Sequence, residues 1–173
     1  MTLIRRAAPD DVEGIAETHV LGWRHGYVGL LPQPVLDGLR PEQRVPRWAL
    51  AVADADWPRR GALVADDGDG IAGFAHLRPT GDEDADPATT GEVASFYVRP
   101  DTWRRGVGSL LMAAALACFR EAGFTTATLW VQEGNERAMA FYARCGFAPD
   151  GAAKPDVVGG LEIRDLRYRQ ALT

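Results

Sequence analysis

The 173-residue chain carries 24 acidic and 19 basic residues, giving a formal net charge of −5, and is 46% hydrophobic. This is enough chain to bury a real core in one domain, read here as residues 1–173. An acidic balance argues against broad nucleic-acid binding, which needs a basic face, and no apolar run of about 18 residues offers a membrane span.

The opening Met1–Arg6 lacks an apolar signal-peptide core and reads as the start of a strand over Leu3–Ala7, so a cytoplasmic protein is expected. A helix follows Pro9-Asp10-Asp11, with Val12, Ile15, Ala16, His19 and Trp23 at helical spacing. Pro32 and Pro34 interrupt it before a second helical stretch through Val35, Leu36 and Leu39, and a third is predicted from about Glu42 to Ala51. Gly61–Ala65 and Ile71–Leu77 read as a hairpin across the turn 66–70. Residues 79–91 read as an exposed acidic loop. Glu92–Val98 is a strong strand stopped before Pro100, and a long helix runs from Arg105 through Val107, Leu110, Leu111, Ala114 and Cys118. A further strand covers Thr126–Val131. The next helix starts at Asn135, carries Ala138, Phe141, Tyr142 and Cys145 on one face, and ends at Gly146-Phe147, a glycine C-terminus with its hydrophobic contact. Leu161–Tyr168 alternates as a last strand. The order βααα-ββ-βα-βα-β implies one α/β domain with a mixed sheet. Cys118 and Cys145 are too few for a disulfide framework and read as small core residues; three scattered histidines give no metal-ligand spacing, so no metal is expected.

The segment Phe96-Tyr97-Val98-Arg99-Pro100-Asp101-Thr102-Trp103-Arg104-Arg105-Gly106-Val107-Gly108-Ser109 leads from a strand through a tight turn directly into a helix. Free N–H groups at a helix start, the helix dipole and glycines that let the backbone approach an anion closely suit a diphosphate. Arg104 and Arg105 can add charge-assisted hydrogen bonds. Taken alone, Gly106 and Gly108 fit a plain strand-to-helix turn equally well. A dinucleotide fingerprint needs a third glycine where Leu111 stands, and a nucleotide-triphosphate loop needs Gly-Lys-Ser/Thr.

With these residues the chain resembles the GNAT superfamily of N-acetyltransferases, in a bacterial subgroup. The turn 103–108 is similar to the family's pyrophosphate loop, with Trp103 standing where Gln or Arg is usual. Asn135-Glu136-Arg137-Ala138 and Phe141-Tyr142 through Gly146-Phe147 resemble its second motif. Asn135 and Tyr142, two helical turns apart, share a face. Asn135 is also a good helix N-cap, and Tyr142 a possible core residue. The resemblance implies an α/β (α+β) fold with a mixed, mostly antiparallel sheet of six to seven strands, in which the parallel strands at 92–98 and 126–131 splay apart. It implies acetyl-CoA held by Phe96, Tyr97, Val98, Arg104, Arg105, Gly106, Val107, Gly108, Ser109, Asn135 and Tyr142. A homodimer is the family-based expectation.

The implied reaction is direct attack of a primary amine, from a small molecule or peptide, on the thioester. A main-chain N–H near Val98 takes the acyl oxygen, and Tyr142 protonates the CoA thiolate. Glu92 matches the position of the catalytic glutamate in the histone-acetylating members and is the candidate base; a pairing with an Arg is the competing reading. His25 and His76 are weaker candidates. The acidic base of the ribosomal N-terminal acetyltransferases falls here at Trp130, which disfavours that activity. Trp23, Tyr27 and Trp48, with Glu92, are candidate walls of the acceptor site or core residues. A non-catalytic acyl-CoA-binding module of the same fold is the alternative function.

Overall fold

In the computed structural model, which describes all 173 residues, the chain runs β1 (Leu3–Arg6), α1 (Val12–Gly26), α2 (Gln33–Gly38), α3 (Val45–Ala53), β2 (Gly61–Asp66), β3 (Ile71–Pro79), β4 (Thr90–Val98), α4 (Val107–Glu121), β5 (Thr126–Gln132), α5 (Glu136–Arg144), β6 (Ala148–Val158) and β7 (Leu161–Ala171). The strands form one sheet in the order β1-β2-β3-β4-β5-β7-β6. Only β4 and β5 pair in parallel; all other neighbours are antiparallel. No helix is long and apolar enough to cross a membrane.

Helical spacing of apolar residues sorts the helices onto the two faces of this sheet. On α4, Leu111, Met112, Ala115 and Phe119 recur at three- and four-residue steps and bury against Leu77, Val93, Ala127 and Leu129. On the opposite face Val12, Ile15 and Ala16 of α1 join the fully buried Trp48 of α3 over Val64 and Phe74. The Trp48 indole N–H donates to His19 Nδ1 at 3.1 Å, so neither buried polar group is left unpaired.

Two departures from the sequence reading have local causes. No strand is assigned to 148–158 in the sequence order above, and Pro149, Gly151 and Pro155 argue against one locally. The segment is β6, an edge strand whose register shifts between Pro149 and Ala153, where missing donors and irregularity are tolerated. The acidic loop is also not simply solvated. Arg167 of β7, itself buried, holds Asp82 at 3.2 Å, Asp84 at 2.6 Å and Asp150 at 2.7 Å. The loop is thereby pinned across the sheet.

Strand β4 changes phase part-way along. Its register with β3 runs His76↔Ser95 and then Leu77↔Val93, leaving Ala94 as an inserted residue. Before it, Gly91 and Val93 face α4: a Cβ on Gly91 would lie 2.7 Å from the Phe119 ring. After it, Phe96 and Val98 face α4, while Tyr97 turns to α1 and stacks on His19 with centroids 5.0 Å apart.

Candidate active site

The parallel pairing of β4 and β5 lasts three residues, ending at Glu92↔Thr128. The bulge at Ala94 follows at once, and the strands separate. A cleft of about 580 Å³ fills the gap, and its walls include Phe96, Tyr97, Tyr27, Trp130, Asn135 and Tyr142. Sheet geometry also sets what β4 offers to the cleft. The Arg99 N–H donates to Ala72 O at 2.7 Å, so by antiparallel alternation Tyr97 pairs with Phe74. The main-chain groups of Phe96 and Val98 therefore point away from β3, into the split. The Val98 carbonyl is taken by the Trp103 indole N–H at 2.8 Å, which leaves the Val98 N–H facing the cleft.

At the cleft mouth the chain turns into α4 through two left-handed residues, Arg104 (φ 64°) and Gly106 (φ 81°). A Cβ on Gly106 would meet nothing within 4 Å, so glycine is required there by backbone conformation. At Gly108 the reason is packing: a Cβ would lie 3.2 Å from the Phe141 ring. The main-chain N–H groups of Arg104, Gly106, Val107, Gly108 and Ser109 have no intramolecular acceptor. Five donors at a helix N-terminus form a ready anion cradle. Arg104, Arg137 and Arg144 line the same cleft, and neither they nor Arg105 form an ion pair within 4 Å. Arg137 sits over Trp103, with Cζ 3.3 Å from the ring centroid, and burial lowers its pKa. Sequence reading passed over Arg137, although it sits inside the second motif.

Helix α5 brings the second motif to the same cleft. Asn135 caps the helix, its side chain accepting from the Ala138 N–H at 3.3 Å, and it also lines the cleft. Gly146 closes the helix at φ 96°, with the Phe147 N–H on Tyr142 O at 3.0 Å and Phe147 buried. The Tyr142 ring packs edge-on against Phe96, Phe141 and Phe147, whereas its hydroxyl has no protein partner. Burial holds this phenol well above its ordinary pKa, so it keeps its proton at neutral pH.

The other residues singled out in the sequence separate clearly. Tyr27 lines the cleft, and burial raises its pKa too. Trp23 lies behind it and donates to the Tyr97 hydroxyl at 2.8 Å, while Trp48 belongs to the core. Arg105 and Val107 are off the cleft wall, and the Val107 side chain packs inward against Ala65 and Ala72. Glu92 is 5% exposed and also off the wall. Its carboxylate accepts from Arg78 Nε at 3.1 Å, Arg78 Nη2 at 3.3 Å and the Gly81 N–H at 3.4 Å. This is the arginine pairing weighed against the base role. His76, which faces α3, has its pKa lowered to about 4 by burial and then by Arg78 and Arg47. Trp130 donates to Asp82 at 3.2 Å and carries Lys154 over its ring at 4.1 Å.

Residues 30–147 match the Acetyltransferase (GNAT) family. The chain is 26% identical over 168 residues to the uncharacterized N-acetyltransferase YuaI of Bacillus subtilis, covering 96% of this chain and 91% of that one. It is 38% identical over 121 residues to the mycothiol acetyltransferase of Clavibacter sepedonicus, covering 69% of this chain but 34% of that longer protein. Its fold is similar to that of the PaiA N-acetyltransferase of Thermoplasma acidophilum, solved in complex with coenzyme A. The TM-score is 0.75 at 18% identity, over 99% of both chains. The split sheet, the anion cradle at its mouth and these matches together place the chain in the acetyltransferase (GNAT) family.

Proposed function

We propose that the protein transfers an acetyl group from acetyl-CoA to a primary amine of a small molecule or peptide, by direct attack within a ternary complex. The observation that carries this reading is the set of five unengaged N–H groups at the start of α4, beside a split whose wall holds the Tyr142 phenol. The diphosphate of the cofactor sits on the N–H groups of Gly106, Val107, Gly108 and Ser109, with Arg104 and Arg105 alongside. Coenzyme A in the PaiA complex supports this cofactor by similarity.

The pantetheine arm then runs between β4 and β5 past Phe96, Tyr97 and Asn135. The Val98 N–H donates a hydrogen bond to the developing oxyanion, a role that typically contributes about 3 kcal/mol. The amine attacks the carbonyl carbon, the carbon–sulfur bond breaks, and Tyr142 delivers its proton to the departing thiolate. Glu92, bound to Arg78, takes the amine proton through a bridging water or leaves that step to an amine that arrives neutral.

Calorimetric titration with acetyl-CoA, on the native protein and on Gly106→Val, tests the cofactor site. One-to-one binding that the variant weakens at least tenfold is expected. Absence of binding by the native protein at millimolar acetyl-CoA would sink the proposal. Binding without thiol release for any amine in a broad panel would leave the non-catalytic module as the answer.

A further inference from the structure

The face of the sheet opposite α4 has an electrostatic imbalance that the cofactor does not explain. Arg47 reaches Ser95, a residue of the cleft wall, Arg44 and Arg78 lie near enough to act on its charge, and Glu92 is bonded to Arg78. Arg44 and Arg47 form no ion pair, although the chain has more acidic than basic residues. Both sit at the N-terminal end of α3, where the helix dipole disfavours cations, and its first turn contains no acidic residue. The Arg44 Nε is buried without a hydrogen-bond partner.

Arg47 is nonetheless held in place. Its guanidinium lies over the Trp48 ring, 4.7 Å from the centroid, and its Nη2 makes only a long 3.5 Å contact to Ser95 Oγ. The ring anchors the guanidinium while its N–H groups find no closer protein acceptor, as bidentate recognition of an oxyanion requires. Arg47 is exposed, so its unpaired edge is open to a dissolved anion, while Arg44 is half-buried.

Resting on the acetyltransferase reading above, we propose that Arg47, backed by Arg44, receives an anionic oxygen group on the acceptor, so that the acceptor is an amine bearing a carboxylate or phosphate. Binding at Ser95 would set that group to one side of the split and direct the amine toward the thioester.

The site can be tested without turnover. The cofactor-free protein is titrated with sodium acetate and with sodium phosphate, against sodium chloride at equal ionic strength, while amide NMR signals are followed. Saturable shifts around Arg47 and Ser95 are expected, lost in Arg47→Gln and retained in Arg6→Gln. Absent shifts with both anions, or shifts unchanged in Arg47→Gln and in a second variant, Arg44→Gln, overturn the proposal.

Thiol release then compares glycine with glycinamide and phosphoethanolamine with ethanolamine, which separates the carboxylate from the phosphate. The anionic member of one pair should be preferred at least tenfold in kcat/KM. Arg47→Gln should erase that preference through acceptor KM, and Arg47→Lys should restore part of it. Equal use of both members of each pair counts against the proposal. Failure of acetyl-CoA to bind would instead remove the cofactor reading, and the anion titration would still decide this site.

Discussion

Tyr142→Phe separates the two roles a buried tyrosine can have. The variant keeps the ring and its edge-on contacts to Phe96, Phe141 and Phe147, at centroid distances of 6.2, 5.5 and 6.4 Å. It removes a hydroxyl that has no protein partner, so no buried group is left unsatisfied. The stability change should stay within about 1 kcal/mol, or roughly 2–4 °C in Tm for a domain of this size. Loss of a general acid costs about 10²–10⁴ in rate, which is about 2.7–5.4 kcal/mol of transition-state stabilisation. Thiol-release kinetics should therefore show kcat and kcat/KM falling together by at least a hundredfold. Acetyl-CoA affinity by calorimetry should remain within about threefold, because the phenol is not one of the N–H donors of the cradle. Turnover within twofold of the native protein would refute the acid role and return Tyr142 to the core.

Gly106→Val forces a β-branched residue to φ 81° in otherwise open space, so about 1–2 kcal/mol of strain should appear as a modest Tm loss beside a large rise in acetyl-CoA Kd. Glu92→Gln should lower kcat about tenfold, mainly below neutral pH; an unchanged pH–rate profile would leave Glu92 as no more than the partner of Arg78. Arg167→Gln abandons Asp82, Asp84 and Asp150 to one another, which should cost about 3 kcal/mol and open residues 80–89 to limited proteolysis. His19 and His76 are held neutral, with pKa values lowered to about 3 and about 4 from 6.5, so the unfolded chain binds protons that the folded one rejects. The stability they contribute is complete above pH 6.5 and falls as pH drops toward 4, with a slope approaching about 2.7 kcal/mol per pH unit. Urea denaturation at pH 7, 6 and 5 reads that slope, and His76→Asn should roughly halve it.

The parts of the site that were legible in the sequence are those built from short contiguous stretches. The turn around Gly106 and the motif from Asn135 to Phe147 each combine a helix boundary with apolar spacing, and both keep their meaning wherever the rest of the chain goes. The proposed anion site is different. It draws Arg47 from α3, Arg78 from β3 and Ser95 from β4, and no local pattern links them. The Arg167–Asp82 pair spans 85 positions, so the acidic loop could only be read as solvated. Strand β6 was missed for a related reason: its identity comes from pairing with β7, which overrides the two prolines and the glycine that argue against it locally. Glu92 fell between the two cases, because its strand could be recognised while its partner on the neighbouring strand could not.

The inserted Ala94 gives β4 two opposite alternations in nine residues. Gly91 and Val93, at odd positions, face α4 before it, whereas Phe96 and Val98, at even positions, face α4 after it. The segment from Val93 to Val98 consequently shows no alternation when read linearly, although each half obeys one. Deletion of Ala94 would restore a single alternation, with Val93, Phe96 and Val98 still on the α4 face and Ser95 and Tyr97 still opposite, because the inserted residue is the whole phase difference. What the deletion removes is the bulge at which β4 leaves β5, so the split itself, and not the facing of its walls, depends on that one extra residue.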